Sequence, residues 1–202
     1  MNRLAWCGFT LDESVARRSN PAIRDTLATL RWVDGDGPGQ FSAGERMRLF
    51  VDTEFTDFID CDLVSIALVA DDGREFYGER SDYDRASCSE FVRAAVLPQL
   101  GQYPDHVFTR EALRAALAAW LNQFADELER VLCFDYGGDW ELLCDLLDGP
   151  PAGWQARHVG QLLDAGRQED YYREHPGRHH ALVDARANRH AMMDSDASSG
   201  TP

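Results

Sequence analysis

The eight residues Leu63-Val-Ser-Ile-Ala-Leu-Val-Ala70 contain one hydroxyl group and no charge. A run this short and this apolar has no polar side to turn to water, so it reads as a strand covered on both faces. The Asp72-Gly73 pair that follows is a hairpin turn, and Glu75 to Gly78, with Phe76 and Tyr77, suits the returning strand. Upstream, Arg48 to Glu54 is a short apolar strand ending in acid. Downstream, Thr109 is a helix N-cap with Glu111 in the first turn, and Leu113, Leu117, Trp120, Leu121 and Phe124 recur at helical spacing. Val131 to Phe134 is a fourth short strand, Gly137-Gly138 turns the chain into an acidic helix through Leu147, and a last helix runs from about His179 to Met192. Strands first, then alternating helices and strands, predict an α/β fold with a mixed sheet flanked by helices, where chemistry sits at strand ends.

Charge divides the chain. Of 202 residues, 35 are acidic and 20 basic, every basic one an arginine, for a net charge of -15. Residues 1–46 hold six acids and six arginines, so the whole excess falls after them. Val33 to Glu45 carries four glycines and a proline, a linker composition. The expected organisation is an N-terminal extension with a Gly-rich linker over 1–46, a folded domain over 47–192, and a small polar disordered tail over 193–202. No apolar stretch is long enough to span a membrane, and Met1 to Thr10 lacks the pattern of a secretory signal, so a cytoplasmic protein is expected. Five cysteines without CxxC or CxxH spacing read as buried free thiols rather than disulfides or a zinc site. Taken alone, the acidity speaks against nucleic acid, whose non-specific binding draws on cations.

Three groups of residues carry chemistry. Asp52 and Glu54 are two apart on the first strand and so share a face, set beside Leu49 and Val51. Two adjacent carboxylates repel and call for a cation between them. Asp139 opens the helix after Gly137-Gly138, with Asp135 as the rival at the strand end. His179-His180-Ala181-Leu182-Val183-Asp184 places two imidazoles near a carboxylate on the last helix.

In this order and on these elements, the residues resemble the DEDDh 3′–5′ exonucleases of the ribonuclease H-like superfamily. Arg48-Leu-Phe-Val-Asp-Thr-Glu-Phe55, the run Leu63 to Tyr77, and His180-Ala-Leu-Val-Asp-Ala-Arg186 look closest to the polyadenylate-specific branch, ribonuclease AS. The resemblance covers about residues 47–190. It implies Asp52, Glu54, Asp139 and Asp184 as ligands of two Mg²⁺ or Mn²⁺ ions and His179, or His180 beside it, as general base. It also implies a homodimer and a chain that opens at Met47, directly on the first strand. Phe55 and Trp140 are the nearest rings for stacking on bases. Arg74, Arg173, Arg178, Arg186 and Arg189 are the candidates for phosphate contact. The polar tract Gln168 to Arg178 is the expected hinge for the base. The implied activity is release of nucleoside 5′-monophosphates from the 3′ ends of single-stranded RNA. An oligoribonuclease, a single-stranded DNA exonuclease and a non-catalytic RNA binder on the same fold are the alternatives. Two divalent ions among the acids would also reverse the objection from charge.

Overall fold

The computed structural model describes residues 46–59 and 61–192. The expected extension and its linker, up to residue 45, and the tail from residue 193 lie outside the described residues, as does Cys7. Six strands form one sheet: β1 (Arg46–Phe55), β2 (Leu63–Ala70), β3 (Glu75–Arg80), β4 (Val107–Phe108), β5 (Glu129–Phe134) and β6 (Gln155–His158). Their spatial order is β4-β3-β2-β1-β5-β6. The pairs β1–β2 and β2–β3 are antiparallel, and the rest are parallel. Helices α1 (Arg110–Leu121), α2 (Gly137–Leu146), α3 (Ala165–Glu174) and α4 (Ala181–Ala191) flank it. This is the predicted mixed α/β sheet, consistent with a ribonuclease H-like arrangement.

The sheet is covered on both faces around its apolar central strand β2. Every residue of β2 is buried. Leu49 and Val51 pack with Leu113 and Leu117 of α1 and with Trp140 and Leu143 of α2. Phe50 packs the other way, with Val131, Cys133 and Met192, and Ala67 and Val69 meet Ala181, Leu182 and Ala185 of α4. Asp52 and Glu54 follow Phe50 by the two-residue period of a strand, so their apolar floor is Phe50 and not Leu49 and Val51, which face the opposite layer. The Thr109 hydroxyl accepts a hydrogen bond from the Ala112 N–H at 3.3 Å, the expected cap of α1. Gly78 permits that helix to close on β3, since a Cβ there would stand 2.3 Å from Leu113 Cδ1.

Two expectations about the C-terminal part are corrected. The tract from Gln168 is helical through Glu174, capped at Asp164 by a side-chain oxygen accepting from the Arg167 N–H at 3.0 Å. Only residues 175–180 remain as a connection. The last helix starts at Ala181 with His180 as its N-cap, so His179 is not helical. Cys61, Cys88, Cys133 and Cys144 are free thiols, the first of them exposed. Among the described residues, no helix is long and apolar enough to cross a membrane.

Candidate active site

The acids converge where β1 and β5 end. Asp52 and Glu54 pair with Ala67 and Ser65 of β2, and the register slips between Glu54 and Phe55. A bulge of this kind re-aims the side chains beside it. Asp139, in the first turn of α2, is drawn back onto β1: its Oδ1 accepts from the Thr53 N–H at 3.1 Å and from the Thr53 hydroxyl at 2.7 Å. Asp184, in the first turn of α4, accepts from the His179 N–H at 3.0 Å. Ligand atoms of Asp52, Asp135 and Asp139 lie within 4.8 Å of one another, and so do those of Asp52, Glu54 and Asp184. Asp52 belongs to both groups and is partly open to solvent, while Glu54, Asp139 and Asp184 are buried.

Removal from water dominates the electrostatics. Burial, then the charges of Asp184, Asp139, Glu54 and Asp135, raises the Asp52 pKa well above the carboxylate range. Burial, then Asp184 and Asp139, does the same to Glu54. Burial and Asp135 raise Asp139, against the two Thr53 hydrogen bonds. Asp184 is pushed up to about 7, chiefly by burial. The second oxygen of Asp139, Oδ2, is buried without a hydrogen-bond partner. Orphaned, mutually repelling hard oxygens fit a divalent cation of the Mg²⁺ type. Neither arginine nor lysine forms a salt bridge with Asp52, Glu54, Asp135, Asp139 or Asp184 among the described residues.

The two histidines separate. His180 is 4% exposed, its ring stacked on Tyr77 at 4.8 Å between centroids and set edge-on to Tyr103. His179 is half-buried beside Asp184, with its backbone in the left-handed region at φ 68° and its ring edge-on to Phe91 at 4.9 Å. The side-chain amide of Gln99 supports this strained turn by donating to the carbonyls of Arg178 and His179 at 2.8 and 3.0 Å. Burial, then the Arg178 guanidinium, lowers the His179 pKa, which favours the neutral, proton-accepting imidazole.

Trp140, expected as a stacking ring, is 2% exposed and lies against Phe134 in the core, so it offers no face to a base. Phe55 instead joins two rings absent from the sequence reading, Phe58 at 5.1 Å and Tyr136 at 6.1 Å. Phe58 is 45% and Tyr136 42% exposed. Gly138 makes room for this cluster, because a Cβ there would meet Tyr136 Cε1 at 2.3 Å. The signal in the sequence was aromatic residues close to both acids, but only the fold brings them together. Of the candidate arginines, Arg178 has a charge that acts on Asp184, with its guanidinium 4.1 Å over the Tyr172 ring and paired with Glu169. Arg74, Arg186 and Arg189 bind Asp72, Glu75 and the Asp71 carbonyl at the hairpin end of the sheet, away from Asp52. Arg173 pairs with Asp170 on exposed α3.

No protein-family model matches the chain. Two curated relatives from Mycobacterium tuberculosis, strains CDC 1551 / Oshkosh and ATCC 25618 / H37Rv, are each named 3′–5′ exoribonuclease. Both are 38% identical to this chain over 78 residues. The stretch is 38% of this chain and 46% of each relative, so the chain spans about half the length of the curated relatives it matches.

Proposed function

We propose that this chain is a metal-dependent 3′–5′ exoribonuclease, acting on single-stranded RNA, with 3′ poly(A)-like tails as the preferred substrate. The observation that supports this best is the pair of carboxylate groups sharing Asp52. The names of the two relatives support the same activity, and the resemblance to ribonuclease AS suggests the poly(A) preference. Asp52, Glu54, Asp139 and Asp184 would hold two Mg²⁺ or Mn²⁺ ions. Such ions, when bound, stabilise charge on the attacking and leaving oxygens of an in-line phosphoryl displacement.

The chain's own residues do the rest. His179 Nδ1 or Nε2, neutral at physiological pH, accepts the proton of the attacking water. Its backbone turn is tied down by Gln99 on one side and Asp184 on the other, just before the first residue of α4, with the ring against Phe91. Arg178 offers a guanidinium to the phosphate next to the scissile one. The rings of Phe55, Phe58 and Tyr136 receive terminal bases, contributing roughly 1–3 kcal/mol per stacked base. A binding mode built on stacking and ions needs no basic surface, in keeping with a net charge of -15. Following the resemblance, the working form is a homodimer whose catalytic domain starts near Met47.

A 5′-labelled single-stranded RNA incubated with the protein is expected to shorten stepwise from its 3′ end in Mg²⁺ or Mn²⁺, releasing nucleoside 5′-monophosphates. No shortening with Mn²⁺, or undiminished shortening in EDTA, would end the proposal. Oligo(A) is expected to decay faster than oligo(U) or the matching DNA. Tyr136→Ala is expected to raise KM for oligo(A) about tenfold, the equivalent of one lost stacking contact. An unchanged KM would remove the ring from the substrate site.

A further inference from the structure

Asp135 stands apart from the four acids carried over from the family resemblance. It directly follows β5, and its carboxylate lies in the same group as those of Asp52 and Asp139, all ligand atoms within 4.8 Å. One oxygen, Oδ1, accepts from Asn188 Nδ2 at 2.9 Å. Asn188 is 2% exposed, and its own carbonyl oxygen accepts from Gln168 Nε2 at 2.7 Å. A chain of hydrogen bonds thus runs from α3 through α4 to the end of β5. Asn188 lies four residues after Asp184, so one face of α4 presents Asp184 to the Asp52–Glu54 group and Asn188 to Asp135.

This arrangement is a poor one for stability alone. Three carboxylates crowd together, the donor on Asp135 is neutral, and the Asp139 Oδ2 atom is buried without a partner at the same spot. A neutral amide can orient a carboxylate, but it leaves the repulsion in place. Asn188 and Gln168 therefore do what the outer partners of metal ligands do, fixing the direction of an acid whose charge is meant for a cation.

We propose that Asp135 is a fifth carboxylate of the metal centre, completing the Asp52–Asp139 group, and that Asn188, backed by Gln168, is its positioning residue. The inference rests on the metal-dependent reading above and adds a ligand to it. One of the two ions then has an additional hard oxygen and binds more tightly than the other.

Titration of the metal-free, full-length protein with Mn²⁺, with free Mn²⁺ read by its EPR signal, tests this without RNA. The parent is expected to show two classes of site. Asp135→Asn, which keeps the shape of the side chain, is expected to weaken the tighter class at least tenfold and to leave the other alone. Asn188→Ala is expected to weaken the same class by about tenfold, the usual loss when an outer partner is removed. Circular dichroism in EDTA should match the parent for both. Binding by Asp135→Asn equal to the parent's overturns the inference while the metal-dependent reading stands. Absence of Mn²⁺ binding in the parent itself overturns both. Should Asp135→Asn lose its fold, Asn188→Ala decides, because a purely structural asparagine would shift melting without altering one class of Mn²⁺ site.

Discussion

Asp52→Asn is expected to lower turnover at least a thousandfold while leaving the protein folded and, in metal-free buffer, more stable than the parent. Both halves come from the same position. Asp52 is the acid common to the two carboxylate groups, so its loss weakens the hold on both proposed ions. Ions in such a site supply several kcal/mol of transition-state stabilisation, and about 4 kcal/mol corresponds to roughly a thousandfold in rate. In the absence of metal the same carboxylate is a liability, since it is taken from water and repelled by Asp184, Asp139, Glu54 and Asp135. A neutral amide of the same shape removes that repulsion. For a chain of this size each kcal/mol of relief registers as roughly 2–4 °C in Tm. Single-turnover kinetics with saturating Mn²⁺ and thermal melts in EDTA measure the two halves. Activity within tenfold of the parent would show that Asp52 is not shared by working ions. A lower Tm in EDTA would show that it is structural.

The contrast between a readable fold and a partly hidden site has a physical basis. Strands β1 to β3, the Asp72-Gly73 turn and the Thr109 cap were all legible, because buried strands leave apolar runs and turns and caps have fixed chemistry. Strand β6, Gln-Ala-Arg-His, was not, since an edge strand with half-exposed residues carries no apolar run. Helix α3 escaped for a similar reason: none of its residues is buried, so the tract offered no stripe and read as a hinge. For the site, a two-residue spacing on a strand brought Asp52 and Glu54 together correctly. It did not reveal that Asp135 and Asp139 both reach Asp52, or that Phe58 and Tyr136 meet beside them. Those are distances between separate elements, which one-dimensional spacing does not encode. The doublet His179-His180 shows the same limit, since a helix that starts two residues later, at Ala181, leaves the two rings in different surroundings.

The second large effect expected is a melting temperature whose response to divalent metal depends strongly on pH. Asp184 rises in the folded state from an ordinary 3.8 to about 7, and Asp52, Glu54 and Asp139 are raised as well, all chiefly by burial. A group whose folded pKa lies above its unfolded value contributes stability that is complete below the unfolded value. That contribution is lost as pH climbs through the folded one. For Asp184 the window therefore opens near 3.8 and closes near 7, and without metal these acids destabilise the fold progressively across it. His179 and His180 act oppositely. Burial lowers their pKa, so their contribution holds above the ordinary imidazole range and fades as pH falls below it. Comparing melts with and without Mg²⁺ at each pH subtracts most of this histidine part, because a cation gains only from ionised carboxylates. At pH 7.5 a concentration of metal about a hundred times its dissociation constant adds roughly 2.7 kcal/mol. At pH 5 Asp184 still holds its proton, and the increment is expected to fall to a small fraction of that. An increment equal at the two pH values would mean that the metal binds elsewhere. One larger at pH 5 would mean that the buried carboxylates are not what it neutralises.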